Sequence, residues 1–429
     1  MFMKNISASF FSSFFKNEAL NSTAIVSGGI FLASIINYFF QILVARNTSV
    51  HDFGDFTALL SLSAIFLVPA NAIMAASIKE VTQIIKKDNN KLSTRFFLEL
   101  TILTMLTGFF VASGVFLFSS YAMRSLKIEN IFYVYSFCFM MLFSYVIVVP
   151  NTYLQAYLRF TKFSISTATA AVFRFALPLT LLFLGFGVSG LFVGMGIALL
   201  ASFLFGSALT MDVFKEGFHP SSSGVYKSLL KTSLSALLLN LGMTMLNNVD
   251  VIFVKYRLSS LDAGTYAGLV TVGKVFLFGA GSIALIMYPQ ISNAYALGKG
   301  YIRKLKLFTL IQLFLVIGGL IVFSLFPEMI IKVMFGDSFL GAAKYLPMFS
   351  VFTALYILSN FAAYFLLAVS LNKMFVVQVL AGILQVILLS FCSSIDSVIK
   401  SNIIVALFLL SGLILYYKLY ARIDNSPSI

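Results

Sequence analysis

Residues 163–211 read FSISTATAAVFRFALPLTLLFLGFGVSGLFVGMGIALLASFLFGSALTM and contain a single charged residue, Arg174. A helix that crosses a membrane requires about 20 mostly apolar residues. The stretch is therefore long enough for two spans, at 163–185 and 188–211, which are separated only by Phe186-Gly187. This pattern predicts a helical hairpin within a lipid bilayer.

The rest of the chain has the same character. Of its 429 residues, 60% are hydrophobic and 10% are charged, whereas a soluble chain carries about 25% charged residues. We therefore expect an all-α polytopic membrane protein with about twelve transmembrane helices. The predicted spans are 22–45, 56–78, 96–119, 131–156, 163–185, 188–211, 232–254, 264–289, 305–326, 348–371, 374–394 and 398–419.

The Lys and Arg residues indicate orientation, because cytoplasmic loops of membrane proteins are enriched in them. With a cytoplasmic N-terminus, about 19 of these residues lie on the cytoplasmic side and about 8 on the outer side. Both termini are therefore predicted to be cytoplasmic, and topology explains the net charge of +14 without a nucleic-acid partner. The outer residues are Arg46, Arg124, Lys127, Lys255, Arg257, Lys332, Lys344 and Lys400.

The connections between the spans argue against an enzyme. None is longer than about 20 residues, which leaves no room for an extramembrane catalytic domain. The two cysteines and two histidines do not have the spacing of metal ligands. We therefore expect neither a metal ion nor a cofactor.

The chain contains an internal repeat with an offset of about 210 residues. Residues 51–59, HDFGDFTAL, match residues 261–269, LDAGTYAGL, in an Asp-x-Gly-x-aromatic pattern. Since six spans per repeat is an even number, the two halves are predicted to form a parallel repeat with the substrate site between them. The predicted lobes are residues 1–215, which begin with an amphipathic leader, and residues 232–429. A linker at 216–231 joins them.

Two cations, Arg174 and Lys274, lie deep inside predicted spans. A charge near the bilayer centre costs roughly 2.5–3.5 kcal/mol on insertion scales, and it normally faces a wet cavity or a partner. Guanidinium and ammonium groups bind anions such as phosphate well, so both residues are candidates for binding an anionic cargo. The alternative for Arg174 is that it extends to the membrane surface or bonds to a backbone carbonyl. Arg46 and Lys79, at the ends of the first two spans, either extend this path or anchor the spans at the membrane boundary.

One acidic residue, Asp250, lies well inside a predicted span. It either forms an ion pair with Lys274 or acts as a proton or sodium site. Uncharged polar residues within the spans bond either to sugars or to neighbouring helices. These residues are Asn37, Gln41, Asn71, Gln155, Asn240, Asn247 and Gln385.

Three groups of residues resemble a known family. Ala45-Arg46 followed by Asp52-Phe53-Gly54-Asp55-Phe56 resembles the first loop of bacterial polysaccharide flippases, which belong to the multidrug/oligosaccharidyl-lipid/polysaccharide exporter superfamily. Asn151–Ala156 resembles the end of the family's fourth span. Phe335-Gly336, with Ala342-Ala343 and Leu346-Pro347, resembles its link into the tenth span. The resemblance covers nearly the whole chain in order.

The resemblance implies two six-helix lobes in a V that opens alternately to each face of the membrane. It implies that the cargo is an oligosaccharide repeat unit on a polyprenyl diphosphate, such as an O-antigen unit of lipopolysaccharide. The cargo would move from the inner to the outer leaflet of the bacterial cytoplasmic membrane without ATP hydrolysis. The implied partners are this glycan, membrane lipid and other polysaccharide-assembly membrane proteins.

A cation-coupled multidrug exporter of the same superfamily is the alternative. Organic cations call for acidic groups in the interior of the protein. One such group, Asp250, lies well inside a predicted span, against the two deeply placed bases Arg174 and Lys274. The flippase is therefore the favoured interpretation.

Overall fold

The computed structural model describes residues 18–86, 90–211, 224–298 and 300–423. Within these ranges the chain is helical almost throughout and contains no β-strand. The predicted amphipathic leader precedes residue 18 and lies outside the described residues. The predicted all-α fold class is confirmed.

The α-helices follow one another with short connections. In chain order they are α1 Glu18–Asn47, α2 Val50–Phe66, α3 Val68–Lys86, α4 Asn90–Leu117, α5 Ser119–Leu126, α6 Ile131–Ser144, α7 Val148–Ala156, α8 Phe160–Leu181, α9 Gly187–Ala208, α10 Gly224–Arg257, α11 Ser260–Ala296, α12 Ile302–Leu325, α13 Pro327–Phe335, α14 Leu346–Ala368, α15 Phe375–Ser390 and α16 Ile395–Ile423. Irregular helical turns cover Leu182–Phe186, Asp337–Tyr345 and Asn372–Met374.

The helices make this chain a multi-pass membrane protein. Eight helical stretches among the described residues are long and apolar enough to cross a membrane, by length and composition. A further apolar helix, α15, has 16 residues and a length of about 24 Å, less than the roughly 30 Å of a hydrocarbon core. Each predicted span overlaps a helix or a broken helix, while the exact number of twelve crossings stays a prediction.

The predicted hairpin at residues 163–211 is confirmed. The chain reverses at Gly185, whose φ is +90°, and Gly187, whose φ is +56°. Both values lie in the left-handed region that residues with a Cβ atom rarely adopt. The two helices then pack closely, because a Cβ atom on Gly194 of α9 would lie 2.5 Å from Cα of Pro178 in α8.

The described helices fall into two compact units. Unit 1 comprises Met1–Phe40, Pro69–Ser120 and Asn130–Leu237, and unit 2 comprises Gln41–Val68, Tyr121–Glu129 and Leu238–Ile429. Residues 224–231, in the predicted linker, form the first turns of α10. Residues 212–223 lie outside the described part of the chain.

Each unit has an apolar core of its own. In unit 1, Phe97 of α4 meets Tyr153 of α7 edge-on, with ring centroids 5.0 Å apart. In unit 2, Met287 of α11, Leu366 of α14 and Leu409 of α16 belong to one buried cluster. Lipid tails are as apolar as these side chains, so close van der Waals packing holds such helices together.

The two copies of the repeated motif begin α2 and α11 in the same way. The Ser49 hydroxyl accepts a hydrogen bond from the backbone N–H of Asp52 at 3.0 Å, and the Ser259 hydroxyl accepts one from Asp262 at 3.1 Å. These contacts satisfy backbone donors that the first turn of a helix leaves free. The repeat is therefore visible in the backbone as well as in the residue pattern.

Candidate functional site

A polar cluster lies within unit 2 and consists of Asp250, Tyr266, Gln385 and Asn402; we call it the Asp250 cluster. One carboxylate oxygen of Asp250, Oδ2, accepts hydrogen bonds from the Tyr266 hydroxyl at 2.5 Å and from Nδ2 of Asn402 at 3.0 Å. The other oxygen, Oδ1, accepts one from the backbone N–H of Val251 at 2.9 Å. Helices α10, α11 and α16 thus meet at a single carboxylate.

Gln385 of α15 adds the fourth helix to this cluster. Its Nε2 donates to Oδ1 of Asn402 at 3.0 Å and to the backbone carbonyl of Leu246 at 3.2 Å. The Asn402 amide is thereby oriented, since its oxygen faces Gln385 and its nitrogen faces Asp250. Asp250 is only 2% exposed, and a buried polar group of this kind is stable only when it is hydrogen-bonded.

A small cavity of about 30 Å³ adjoins the Asp250 cluster within unit 2. Asp250 and Lys274 both line it, together with Asn247, Thr353 and Tyr356. Nδ2 of Asn247 donates to the Tyr356 hydroxyl. The volume is sufficient for about one water molecule, which is too small for a whole headgroup, and apolar side chains such as Leu277 and Phe352 form much of the remaining wall.

Lys274 lies eight residues after Tyr266 on α11, and side chains at this spacing share one face of a helix. This register places both residues towards Asp250. The structure shows no direct ion pair or hydrogen bond from Lys274 to any described residue. The ammonium group and the Asp250 carboxylate instead face the same cavity.

Arg174 lies in unit 1, near the middle of α8. Its side chain is half-buried. Among the residues that the structure describes, none forms an ion pair or a hydrogen bond with it. Arg174 therefore presents an uncompensated guanidinium group inside an apolar span.

Arg46 and Lys79 have different surroundings. Nε of Arg46 donates to the carbonyl of Met334 at 3.0 Å, and its Nη2 donates to the carbonyl of Val333. Both carbonyls belong to the last turn of α13, where a cation is favourable for the helix dipole. Lys79 is exposed on α3. Arg46 therefore caps a distant helix, and whether either residue contacts the cargo stays a prediction.

Of the seven uncharged polar candidates, Asn247 and Gln385 lie at the cavity and in the Asp250 cluster, respectively. The other five do not line the cavity. Gln155 donates to the carbonyl of Asn151 in its own helix at 3.3 Å, and Asn71 is exposed. Half-buried positions are occupied by Asn37, Gln41, Gln155 and Asn240.

Sequence reasoning did not single out Tyr266, Asn402 and Tyr356 as site residues. Tyr266 stands in the repeated motif at the position equivalent to Phe56, and this gain of a hydroxyl group was a usable signal. Asn402 is a polar residue within the predicted span 398–419. Which of many such residues face Asp250 depends on helix rotation, which the sequence does not show.

A second charged group in unit 2 contains Asp55 of α2 and Lys255 of α10. Their carboxylate and ammonium groups form a direct ion pair, and each side chain is only 1% exposed. Nζ of Lys255 also lies 3.4 Å from the Ser260 hydroxyl. The prediction that Lys255 belongs to an outer connection is wrong, because α10 continues to Arg257 and carries this lysine into the packed interior.

Among the described residues, His51, Asp52 and Asp55 could supply ligand atoms to a metal ion, since these atoms lie within 4.8 Å of one another. Nδ1 of His51 lies 3.8 Å from Oδ2 of Asp55. The Lys255 ammonium already provides a positive charge at the Asp55 carboxylate. This geometry favours the ion pair over a bound metal ion.

Several solved structures share the fold of this chain. An inward-facing multidrug resistance transporter of the MATE family and the MOP superfamily matches with a TM-score of 0.75 and 14% identity, covering 94% of this chain and 100% of that chain. The lipid II flippase MurJ, in an inward closed conformation, matches with a TM-score of 0.69 and 15% identity, covering 92% and 87%. An outward-facing MATE family transporter of the same superfamily matches with a TM-score of 0.63 and 11% identity, covering 94% of this chain and 96% of that chain. The chain has the all-helical membrane fold of the MOP superfamily.

A profile of the family described as polysaccharide biosynthesis protein matches residues 43–344. The chain therefore belongs to this family, and the resemblance seen in its residues is confirmed. No curated protein sequence matches the chain. The chain is thus a multi-pass membrane protein of a polysaccharide biosynthesis family.

Proposed function

We propose that this protein is a flippase that moves oligosaccharide repeat units linked to polyprenyl diphosphate across the bacterial cytoplasmic membrane. The cargo enters from the inner leaflet and leaves in the outer leaflet by alternating access. Both termini of the flippase lie in the cytoplasm. It works without ATP hydrolysis or covalent chemistry.

The state of Arg174 is the observation that carries this proposal. A guanidinium group within an apolar span is costly unless it meets an anion or water, and no described residue supplies that anion. A diphosphate offers several oxygen atoms to the planar fork of donors that arginine presents. The cargo headgroup is therefore the proposed partner of Arg174.

Lys274 is the second proposed phosphate contact, because its ammonium group also has no direct partner among the described residues. The cavity that it lines is too small for a headgroup, so this contact requires the cavity to widen during alternating access. Arg46, which caps α13, and the exposed Lys79 are proposed as secondary contacts only. Asp250 is the proposed site for a coupling ion or proton, since a buried carboxylate in an intramembrane cavity is a common element of ion pathways.

Complementation of a strain that lacks this protein tests the proposal. Arg174→Ala and Lys274→Ala should each reduce surface polysaccharide roughly tenfold or more, the effect of losing a charge-assisted hydrogen bond of about 1.5–3 kcal/mol. The lipid-linked repeat unit should accumulate, with the protein level near normal. Arg174→Lys should retain part of the activity, because it keeps the charge.

The matched control is Arg124→Ala, which removes an exposed cation from α5. This variant should restore polysaccharide as well as the wild-type protein does. If Arg174→Ala and Lys274→Ala restored it equally well, the proposed headgroup contacts would be wrong.

A cation-coupled multidrug exporter is the alternative, and the similarity of the fold to MATE transporters favours it. The buried Asp250 would then contact a cationic drug. Drug susceptibility of the deletion strain separates the two functions. An exporter predicts increased susceptibility with normal polysaccharide, and the flippase predicts the reverse.

A further inference from the structure

We infer that the Lys274 ammonium is a built-in counter-cation for Asp250, so that the Asp250 cluster takes up a proton and excludes Na⁺ and other metal ions. This inference rests on the proposed coupling role of Asp250. It specifies which cation the site accepts, and it follows from hydrogen-bond directions, cavity size and charge within unit 2.

The hydrogen bonds around Asp250 leave few oxygen lone pairs for a metal ion. Three donors already point at the carboxylate, from Tyr266, Asn402 and the backbone of Val251. The side-chain oxygen of Asn402 faces Gln385 instead of the carboxylate. Hard metal cations in proteins are held by several converging oxygen ligands, and the buried side-chain oxygen of Gln385, which accepts no hydrogen bond, is one oxygen that remains in the cluster. Hydrogen bonding alone therefore does not exclude a metal ion, and the deciding obstacle is the charge of Lys274.

The cavity also places a cation where a metal ion would sit. Lys274 and Asp250 both line a space of about 30 Å³, which holds about one water molecule. Inside a protein the repulsion between two positive charges is much stronger than in water. A metal ion that entered would meet the Lys274 ammonium across this small space.

A proton does not meet this obstacle, because it needs no coordination shell and occupies none of the space beside the Lys274 ammonium. It comes from water and binds a carboxylate oxygen of Asp250, whose charge changes from −1 to zero. The Tyr266 hydroxyl can then rotate from donor to acceptor, because a hydroxyl group has both capacities. The cavity changes from a neutral Asp250–Lys274 pair to a net charge of +1, which strengthens its attraction for an anionic headgroup.

The other ionisable groups that face the cluster do not provide a second counter-cation for Asp250. They are Tyr266 of α11, Tyr356 of α14 and Cys392, which follows α15. All three are hydroxyl or thiol groups, and such groups carry no positive charge in either protonation state. Among the described residues that face Asp250, Lys274 alone carries a positive charge.

Thermal unfolding of the purified full-length protein in lipid nanodiscs tests this inference without any cargo. At constant ionic strength, replacing choline with Na⁺ should leave the Tm of the wild-type protein unchanged. Lowering the pH from neutral to mildly acidic should shift the Tm of the wild-type protein. In Asp250→Asn, the part of this shift that comes from protonation of Asp250 should be absent. In Lys274→Gln, Na⁺ should raise the Tm by about 2 °C or more, because the empty carboxylate site now binds it.

Three further variants make the outcome specific. Lys274→Arg keeps the charge and should behave like the wild-type protein. Asp250→Asn combined with Lys274→Gln should lose the Na⁺ response. Lys400→Gln, which removes an exposed ion pair with Asp396, should leave it unchanged.

Two results would overturn the inference. One is a Na⁺-dependent rise in the Tm of the wild-type protein that Asp250→Asn abolishes. The other is a folded Lys274→Gln protein without a Na⁺ response. Neither result bears on the flippase function, which the polysaccharide assay tests separately.

Discussion

The segments Ser49–Phe56 and Ser259–Tyr266 begin their helices alike and then differ in chemistry. In both, the serine hydroxyl caps the helix and also donates to the Asp side chain three residues later, at 2.8 Å in the first segment and 2.7 Å in the second. Gly54 and Gly264 then bring α2 and α11 together, since a Cβ atom on Gly54 would lie 2.8 Å from the Gly264 nitrogen. The shared residues shape the backbone.

The next two positions separate the copies. The first segment has Asp55, which is paired with Lys255, where the second has Thr265, which bonds to a carbonyl of its own helix. The first has the apolar Phe56 where the second has Tyr266, which donates to Asp250. One backbone design therefore supports a structural ion pair in one copy and part of a candidate ion site in the other.

Removal of Lys255 should have the largest effect on stability. Lys255→Met leaves the Asp55 carboxylate buried without a counter-ion, which costs about 3–5 kcal/mol. Thermal unfolding of the purified protein measures the loss. Thr265 is the equivalent of Asp55 in the other copy, and Thr265→Val should change the stability by less than about 0.5 kcal/mol.

The double variant Asp55→Asn with Lys255→Met provides the control for this comparison. It removes both charges and should recover most of the lost stability, because the unpaired charge is gone. If Lys255→Met alone were as stable as the wild-type protein, the ion pair would not hold the two helices together.

Gly264→Ala should have the next largest effect. A Cβ atom at this position would overlap the carbonyl oxygen of Val50, so α2 and α11 must separate, at a cost of about 3 kcal/mol. Gly54→Ala should cost less, because its nearest atom is farther away. Gly279 lies on the same helix, and a Cβ atom there would have no neighbouring atom within 4 Å. Gly279→Ala should therefore be neutral or slightly stabilising. If Gly264→Ala and Gly279→Ala lost equal stability, the close contact at Gly264 would not be the cause.

The caps should have the smallest and most similar effects. Ser49→Ala and Ser259→Ala each remove one acceptor for a backbone N–H, which costs about 1 kcal/mol. Denaturant or thermal unfolding of the two variants side by side measures the difference. Unequal losses would show that the two helix starts are not energetically equivalent, even though their geometry is.

Much of the fold was accessible from residue patterns, because membrane spans are long apolar runs. The hairpin at 163–211 and the repeated pattern at 51–59 and 261–269 were both predicted, whereas the helices begin before the predicted spans, at Val50 and Ser260. The burial of Lys255 was not, since a lysine at the end of a span normally belongs to the interface. Its partner Asp55 lies 200 residues earlier in the chain.

The site was predictable only in part. Arg174, Lys274 and Asp250 were found because a charge inside an apolar run is conspicuous at any rotation of the helix. The Asp250 cluster also depends on side chains that point towards one another from different helices, namely those of Tyr266, Asn402 and Gln385. A sequence does not show which face of a span meets which neighbour. Uncharged polar residues are also common at ordinary helix contacts.

By itself the sequence determined the all-helical membrane class, the internal repeat and the presence of three charges inside the spans. Each of these follows from local composition or spacing, which an apolar solvent strongly constrains. Only the tertiary structure decided that Lys255 pairs with Asp55, that Arg46 caps a distant helix, and that Lys274 shares a small cavity with Asp250. Those outcomes depend on the rotation and approach of helices that are far apart along the chain.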